Sequence, residues 1–392
     1  MTQAVQLPPR EARVSAWRGL RRVLAVRLDS AGDVLMTTPA LRALRTAAPD
    51  HLALLTSPSG AVAAALLPEV DEVIVYEAPW MKHPAAHGPV TGPERDLGLI
   101  EQLRRGRFDA AAIFTVHSQS ALPAALACHL AAIPRRLAHA RENPYALLSD
   151  WVPDPEGEAP IRHEVRRQLD LLGAVGIEAR DEHLSLHVPD VASRSMRAML
   201  ASFDIAPQDP WLLVHPGATA PSRRYPPARF GEVLRHLHTA TGWPILLTGD
   251  DTEVDIVEDV RRAAGGLGRS LAGQLPFAEL AALVALAPIL LTNNTAPAHV
   301  AAAVGTPVVD LYALTNLQHT PWQVPSRVLS VDVPCAGCRR SVCPLGHNRC
   351  LHAVEPGAVV AAVLDLAREV GIRLRGRERP LLDMAPPVVA TG

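Results

Sequence analysis

The sequence predicts an α/β protein made of two doubly wound, parallel-sheet domains facing each other across a cleft. Three observations carry this. Short apolar, strand-like runs alternate with helix-periodic stretches through both halves of the chain. At 392 residues the chain exceeds one typical domain and suits two, each long enough to bury its own core. Several runs also stop at polar loops bearing glycine or proline that open into helices, and open parallel sheets bind ligands along that carboxyl edge.

Taken in order, residues 1–21 form a basic leader with Arg10, Arg13, Arg18 and Arg21, expected to be poorly ordered. It lacks the apolar core and cleavage site of a secretory signal. The first domain, 22–195, holds strand candidates VLAVRL (23–28), LALLT (52–56), VIVY (73–76) and AAAIF (110–114). PALRALRTA (39–47) reads as a helix with Ala40, Leu41 and Leu44 on one face. Residues 152–163 and 187–210, rich in Pro, Asp and Glu, read as connections around a helix at 163–175. The second domain, 196–375, holds WLLVH (211–215), PILLT (244–248), ILLT (289–292) and PVVDLY (307–312), separated by helical runs near 228–240, 252–264 and 277–287. A loose, Pro-rich tail covers 376–392.

Composition excludes several functions. The net charge is −2, and no Lys/Arg stripe interleaved with aromatics points to nucleic acid. The longest apolar run, LAALVALAPILL (280–291), is too short to span a bilayer and contains Pro288. These features predict a soluble cytoplasmic protein with at most peripheral membrane contact through the leader; no pattern assigns an oligomeric state.

Four segments carry chemistry. The stretch LTNNTAPAHVAAAVGTPVV (291–309) runs from strand through Thr292-Asn293-Asn294-Thr295 into a small-residue helix, with Pro297 near its start and Thr295 able to cap. Free backbone N–H groups at such a terminus favour phosphate. HPGATAPSRRYPP (215–227) offers close backbone approach at Gly217, hydroxyls at Thr219 and Ser222, and the guanidinium pair Arg223 and Arg224 with no acid nearby, which suits an anion. In the first βα loop, Asp29-Ser30-Ala31-Gly32-Asp33, a carboxylate reaches the strand's carboxyl end; Asp33 there suits a general base, or either acid caps the next helix. LLTGDDTE (246–253) places acids after another strand, of which Glu253 is the candidate for ribose hydroxyls. Cys335, Cys338, Cys343 and Cys350 lie within sixteen residues; they read as free thiols in a loop, with a structural zinc or iron–sulfur site as the alternative.

These residues together resemble glycosyltransferase family 9, the ADP-heptose:lipopolysaccharide heptosyltransferases. The likeness runs from about residue 22 to 370 and rests on RLDSAGDVLMTTPALRALR, VHPGATAPSRRYPPARF, LLTGDDTE, LAGQLPFAELAALVALA and NNTAPAHVAAAVGTPVV, in the family's order. The resemblance implies a GT-B fold of two Rossmann-like domains, acceptor on the first and sugar nucleotide on the second. It also implies inverting transfer that requires no cofactor. Asp33 then matches the catalytic base. Thr219 and Arg223, with Arg224 beside them, match the donor's phosphate ligands. Glu253 matches the ribose acid, and Thr295, Ala296 and His299 the loop on the pyrophosphate and its sugar.

One departure bears on the sugar. The family usually reads Asp-Thr-Gly-Pro where this chain has Asn294-Thr295-Ala296-Pro297, so Asn294 keeps an acceptor oxygen but loses the charge. The expected activity is transfer of a heptose or related sugar from a nucleotide-diphosphate donor to a glycolipid or other glycan acceptor. Lys82, His83 and His87 of the 77–92 loop are expected to meet acidic sugar or phosphate on that acceptor. A nucleotide-sugar epimerase, which would turn over without an acceptor, and an inactive nucleotide-binding scaffold with a metal- or redox-sensing cysteine cluster are the alternatives.

Overall fold

The computed structural model describes residues 10–47, 50–81, 92–154 and 161–373. Residues 1–9 of the leader, the tail from 374 onward, and Lys82, His83 and His87 lie outside the described residues. The chain divides into two compact units, Met1–His187 and Val188–Gly392. The sequence expectation places this division at 195, inside a helix that belongs wholly to the second unit.

In the first unit α1 (Arg10–Ala16) precedes β1 (Arg22–Arg27), α2 (Ala31–Ala47), β2 (His51–Thr56), α3 (Pro58–Ala64) and β3 (Glu72–Val75). Then come α4 (Pro93–Gly106), β4 (Ala110–Ile113), α5 (Leu122–Leu130), β5 (Arg135–Ala140), β6 (Asp150–Pro153) and α6 (Glu164–Gly173). The second unit holds α7 (Asp190–Ser202), β7 (Leu212–His215), α8 (Pro227–Thr241), β8 (Ile245–Leu247), α9 (Val254–Ala263) and β9 (Arg269–Ser270). It continues through α10 (Phe277–Leu286), β10 (Ile289–Asn293), α11 (Ala296–Val304), β11 (Val308–Leu311), β12 (Ser326–Leu329), α12 (Arg349–His352) and α13 (Pro356–Glu369).

The sheets run β3-β2-β1-β4-β5-β6 and β12-β11-β10-β7-β8-β9, and every pairing is parallel. Both are the doubly wound order in which strand order reverses once, between β1 and β4 and again between β7 and β10. Strands covered on both faces must be apolar throughout. Leu24, Val26 and Ile113 accordingly sit in one core, and Leu212, Val214, Leu291 and Val309 in the other.

Four expectations are corrected. The leader's end is built into the fold: residues 10–16 are helical, Trp17 is 2% exposed, and its Nε1 donates to Asp150 Oδ2 at 3.1 Å. A large indole whose N–H finds a buried partner outweighs the local arginines. Within the supposed connection 187–210, α7 forms because Ala192, Met196 and Leu200 repeat at helical spacing and are buried. The first βα loop is shorter than expected, since Ala31, Gly32 and Asp33 already form the first turn of α2. Pro39 inside that helix removes the donor for Leu35, and Thr38 Oγ1 replaces it at 2.8 Å. Finally, β5, β6, β9 and β12 were not among the expected strands. In β5 the polar letters conceal burial, because Arg136 spends its guanidinium on the carbonyls of Leu147 and Ala146 at 2.7 and 2.9 Å.

Candidate functional site

Each unit gathers its polar residues at the carboxyl edge of its sheet, beside the point where strand order reverses. In the first unit the last residue of β1, Arg27, is fully buried and faces three carboxylates: Asp29 at 3.0 Å, Asp33 at 3.1 Å and Glu164 at 2.8 Å. Burial alone would lower its basicity, but the fields of Asp29, Glu164 and Asp33 outweigh that and hold it firmly protonated. Gln168 Nε2 donates to Glu164 at 3.1 Å, fixing the far side of the network.

Of the two roles the sequence left open, the contacts of Asp33 display the bracing one. It accepts from the Ser30 N–H at 3.2 Å and the Ser30 hydroxyl at 2.6 Å, so it braces the start of α2. The same carboxylate remains 16% exposed, against 9% for Asp29. A carboxylate bonded to a guanidinium and still reachable can accept a proton from an incoming hydroxyl. Asp29 differs: burial pushes its carboxyl up to about 6, with Arg27 opposing and Asp33 and Glu164 adding to the rise.

In the second unit β7 ends at His215, whose Nδ1 lies 3.1 Å from Thr248 Oγ1 and whose Nε2 lies 3.3 Å from Glu253 Oε2. Glu253 closes a capping box with Asp250 at the turn into α9. It is 4% exposed. Burial works to raise its pKa, but the His215 bond and field and the Asp250 N–H prevail and keep it below the usual carboxylate range. A Cβ on Gly217 would sit 2.1 Å from the Glu253 carboxyl carbon, so glycine is what lets backbone and carboxylate meet.

The anion-binding expectations separate on inspection. Thr219 is exposed in the loop after β7, and Arg223 and Arg224 are half-buried in it. Arg224 Nε is anchored on the Ala218 carbonyl at 2.7 Å. Ser222, expected on the anion, donates its hydroxyl to the Arg340 carbonyl at 2.7 Å and ties down the cysteine-bearing loop. Thr295 occupies the N-cap of α11, yet among the described residues its side chain makes no capping bond, which leaves the helix's first N–H groups to another partner. Ala296 is the first residue of that helix, and His299 is buried within it.

Asn293, which sequence reasoning missed, joins the two loops at this reversal point. Its amide donates to the carbonyls of Pro216 at 2.7 Å and Gly217 at 3.3 Å, and its oxygen accepts the Tyr225 N–H. The signal was present as an asparagine ending an apolar strand. Arg27 and Glu164 were missed because they meet across 137 positions. Asn294 is tied into the same corner, accepting the Ala313 N–H at 3.3 Å.

Cys335, Cys338, Cys343 and Cys350 are half-buried free thiols, and Cys350 feels the fields of the other three. Among the described residues no three His, Cys, Asp or Glu side chains are grouped to hold a metal. No helix of the described residues is long and apolar enough to cross a membrane.

Comparison with known proteins agrees with this geometry. Over 363 residues the chain is 25% identical to lipopolysaccharide heptosyltransferase 2 of Salmonella typhimurium, covering 90% of this chain and 100% of that one. A family 9 glycosyltransferase from Veillonella parvula superposes with a TM-score of 0.73 at 21% identity, over 89% of this chain and 98% of that one. The ADP-heptose heptosyltransferase II of Escherichia coli gives 0.69 at 22%, over 89% and 99%. The fold is therefore GT-B, and the protein is a glycosyltransferase. The profile of glycosyltransferase family 9 (heptosyltransferase) matches residues 97–348, well over half of the chain, and the chain belongs to that family.

Proposed function

We propose that this enzyme moves a heptose, or a related sugar, from ADP-heptose to a sugar hydroxyl of a lipopolysaccharide core, inverting the anomeric centre without a catalytic metal. The observation that carries the donor half is the grouping at the second sheet's reversal point. A buried ionised Glu253 lies against Gly217, the pair Arg223 and Arg224 follows, and an uncapped helix terminus begins at Ala296. Glu253 accepts the ribose hydroxyls. Thr219, Arg223, Arg224, Thr295 and the Ala296 N–H hold the diphosphate, and Asn294 and His299 lie on the sugar side.

Asp33 acts as base. It takes the proton as the acceptor oxygen bonds to the anomeric carbon, and the bond to the nucleotide diphosphate breaks. The negative charge on the leaving group is met by the guanidinium pair and the helix terminus, which are already oriented. The four cysteines are read as loop thiols, near enough for Cys350 to feel the fields of the other three. The enzyme works in the cytoplasm, at the membrane face where a lipid-anchored acceptor is presented.

The test offers the protein a panel of nucleotide sugars and measures nucleotide release with and without a core oligosaccharide acceptor. Acceptor-dependent release from ADP-heptose is expected, and Asp33→Asn should abolish it while still binding the donor. Release that ignores the acceptor, or full activity in Asp33→Asn, overturns the assignment. Metal content near zero in protein purified without oxygen is expected from the cysteine reading.

A further inference from the structure

We propose that the loop between β12 and α12 docks this enzyme on a membrane of anionic phospholipid. Val342, Pro344 and Leu345 enter the edge of the acyl layer, and Arg339, Arg340 and Arg349 take the lipid phosphates. This rests on the reading of a lipid-anchored acceptor and assigns the surface that meets the lipid.

The loop presents an apolar tip. Cys343-Pro344-Leu345-Gly346 is a β-turn, closed by the Gly346 N–H on the Cys343 carbonyl at 3.1 Å. Proline at its second position and glycine at its fourth, with φ +68°, suit that turn. Val342 is 67% exposed and Leu345 63%, and Pro344 between them is exposed too. One apolar side chain in water is ordinary surface. Three within four positions at the point of a turn form a patch that marks an interaction site.

The surroundings of the tip are cationic. Between Asp332 and Glu355 the chain carries no acid but has Arg339, Arg340 and Arg349, against a net charge of −2 overall. All three arginines are exposed, and none forms an ion pair among the described residues. The bounding Glu355 is spent on Arg229 at 3.4 Å. Cys350 feels the fields of Cys335, Cys338 and Cys343, so both limbs of the loop and its turn are gathered together. That brings Arg339, next to Cys338, and Arg349, next to Cys350, into the region of the tip. The loop is also fixed in advance: the Gly337 and Arg339 N–H groups donate to the Leu314 and Thr315 carbonyls, each at 2.7 Å, and Ser222 donates to the Arg340 and Ser341 carbonyls. Docking therefore spends little on ordering it.

An apolar tip among guanidiniums fits the boundary between water and lipid. Phosphates at headgroup depth take the planar forks, and the acyl chains below take Val342 and Leu345. A polyanion free in water would satisfy the arginines and leave the apolar trio exposed.

The test sediments the full chain with vesicles of phosphatidylcholine containing about one-third phosphatidylglycerol, and with vesicles of phosphatidylcholine alone. Binding to the anionic vesicles should be tenfold stronger or more, and should weaken as salt rises. Arg340→Gln and Arg349→Gln should each weaken it about fivefold. Val342→Ser combined with Leu345→Ser should weaken it tenfold or more. All of these should keep kcat/KM within twofold of wild type on a water-soluble, deacylated core acceptor, which a folding defect would not. Leu345→Trp should be quenched by lipid brominated on its acyl chains, beyond the wild-type level. Arg10→Glu combined with Arg13→Glu in the leader should bind as wild type does. Wild-type protein indifferent to anionic lipid, loop variants that bind vesicles normally, an unquenched Leu345→Trp, or binding that depends on the leader alone overturns the proposal. Loop variants that still bind vesicles but lose the soluble acceptor also overturn it, and assign the loop to the glycan. Vesicle binding needs no turnover, so failure of the docking surface and failure of the transferase reading are distinguishable.

Discussion

Asp29→Asn should make the protein more stable, and the stability gain should grow with pH. In the folded chain burial raises the Asp29 carboxyl from 3.8 to about 6; Arg27 opposes, and Asp33 and Glu164 reinforce the rise. A shift of roughly two units corresponds to about 3 kcal/mol between the protonation states. The sign follows from the direction. A raised folded value means the native state holds this proton more tightly than the unfolded chain, so its contribution is complete below about pH 4 and lost as pH climbs through 6. Asparagine cannot ionise and loses nothing, while its oxygen still accepts from Gln119. The variant's advantage should therefore widen by about 2–3 kcal/mol between pH 4 and pH 8, with the carboxylates around Arg27 titrating together. At a urea dependence of about 2–3 kcal/mol per molar, the difference in midpoints grows by about 1 M. Because the chain has two units, the reporter must belong to the first. A fluorine label on Trp17, buried and bonded to Asp150, meets that need. If the difference stays constant or shrinks as pH rises, Arg27 dominates, Asp29 is ionised throughout, and the reasoning fails.

Three further outcomes are expected. Gly217→Ala places a methyl 2.1 Å from the Glu253 carboxyl carbon and must displace it, so steady-state kinetics should show a donor KM at least tenfold higher with the acceptor KM unchanged. Ser222→Ala should leave the donor KM alone but cost about 1–2 kcal/mol by stranding the Arg340 carbonyl, seen as a lower melting temperature and faster proteolysis within 335–350. Asp310 is wholly buried with neither oxygen hydrogen-bonded among the described residues, and burial, against the field of Arg223, drives its carboxyl well above the ordinary range. Asp310→Asn should therefore add about 1–3 kcal/mol at pH 8 and less at pH 4, where both side chains are neutral, by denaturant melts at the two pH values.

The elements legible from sequence were those whose burial is written in apolar letters. Runs such as Val23–Val26 and Ile289–Leu291 are fully covered and could be nothing but central strands. The elements that escaped are those where tertiary contacts neutralise polar residues, as Arg136 in β5 does through backbone carbonyls, or where the element is very short, as in β9. The start of α7 was hidden for a related reason: Pro189 and Asp190 look like a loop, yet a helix begins with just such residues. Among site residues, the loops at strand ends were visible because they break an apolar pattern. Their partners were not, since Glu164 reaches Arg27 only once the sheet and α6 are assembled.

The departure at Asn294 gains a physical setting from the same view. Its oxygen holds the N–H of Ala313, the residue after Tyr312, whose acidity is suppressed by burial and by Asp310. Asn294, through Ala313, and Asp310, through its field on Tyr312, thus both act on one short segment at the carboxyl ends of neighbouring strands. A carboxylate at 294, as the family's usual pattern has, would add a second acid to a corner where Asp310 is already buried without a hydrogen-bonding partner among the described residues. Asparagine supplies the same acceptor oxygen without adding charge. The substitution at 294 belongs with the acid at 310, because it holds the Ala313 N–H in this corner without adding a second charge beside Asp310.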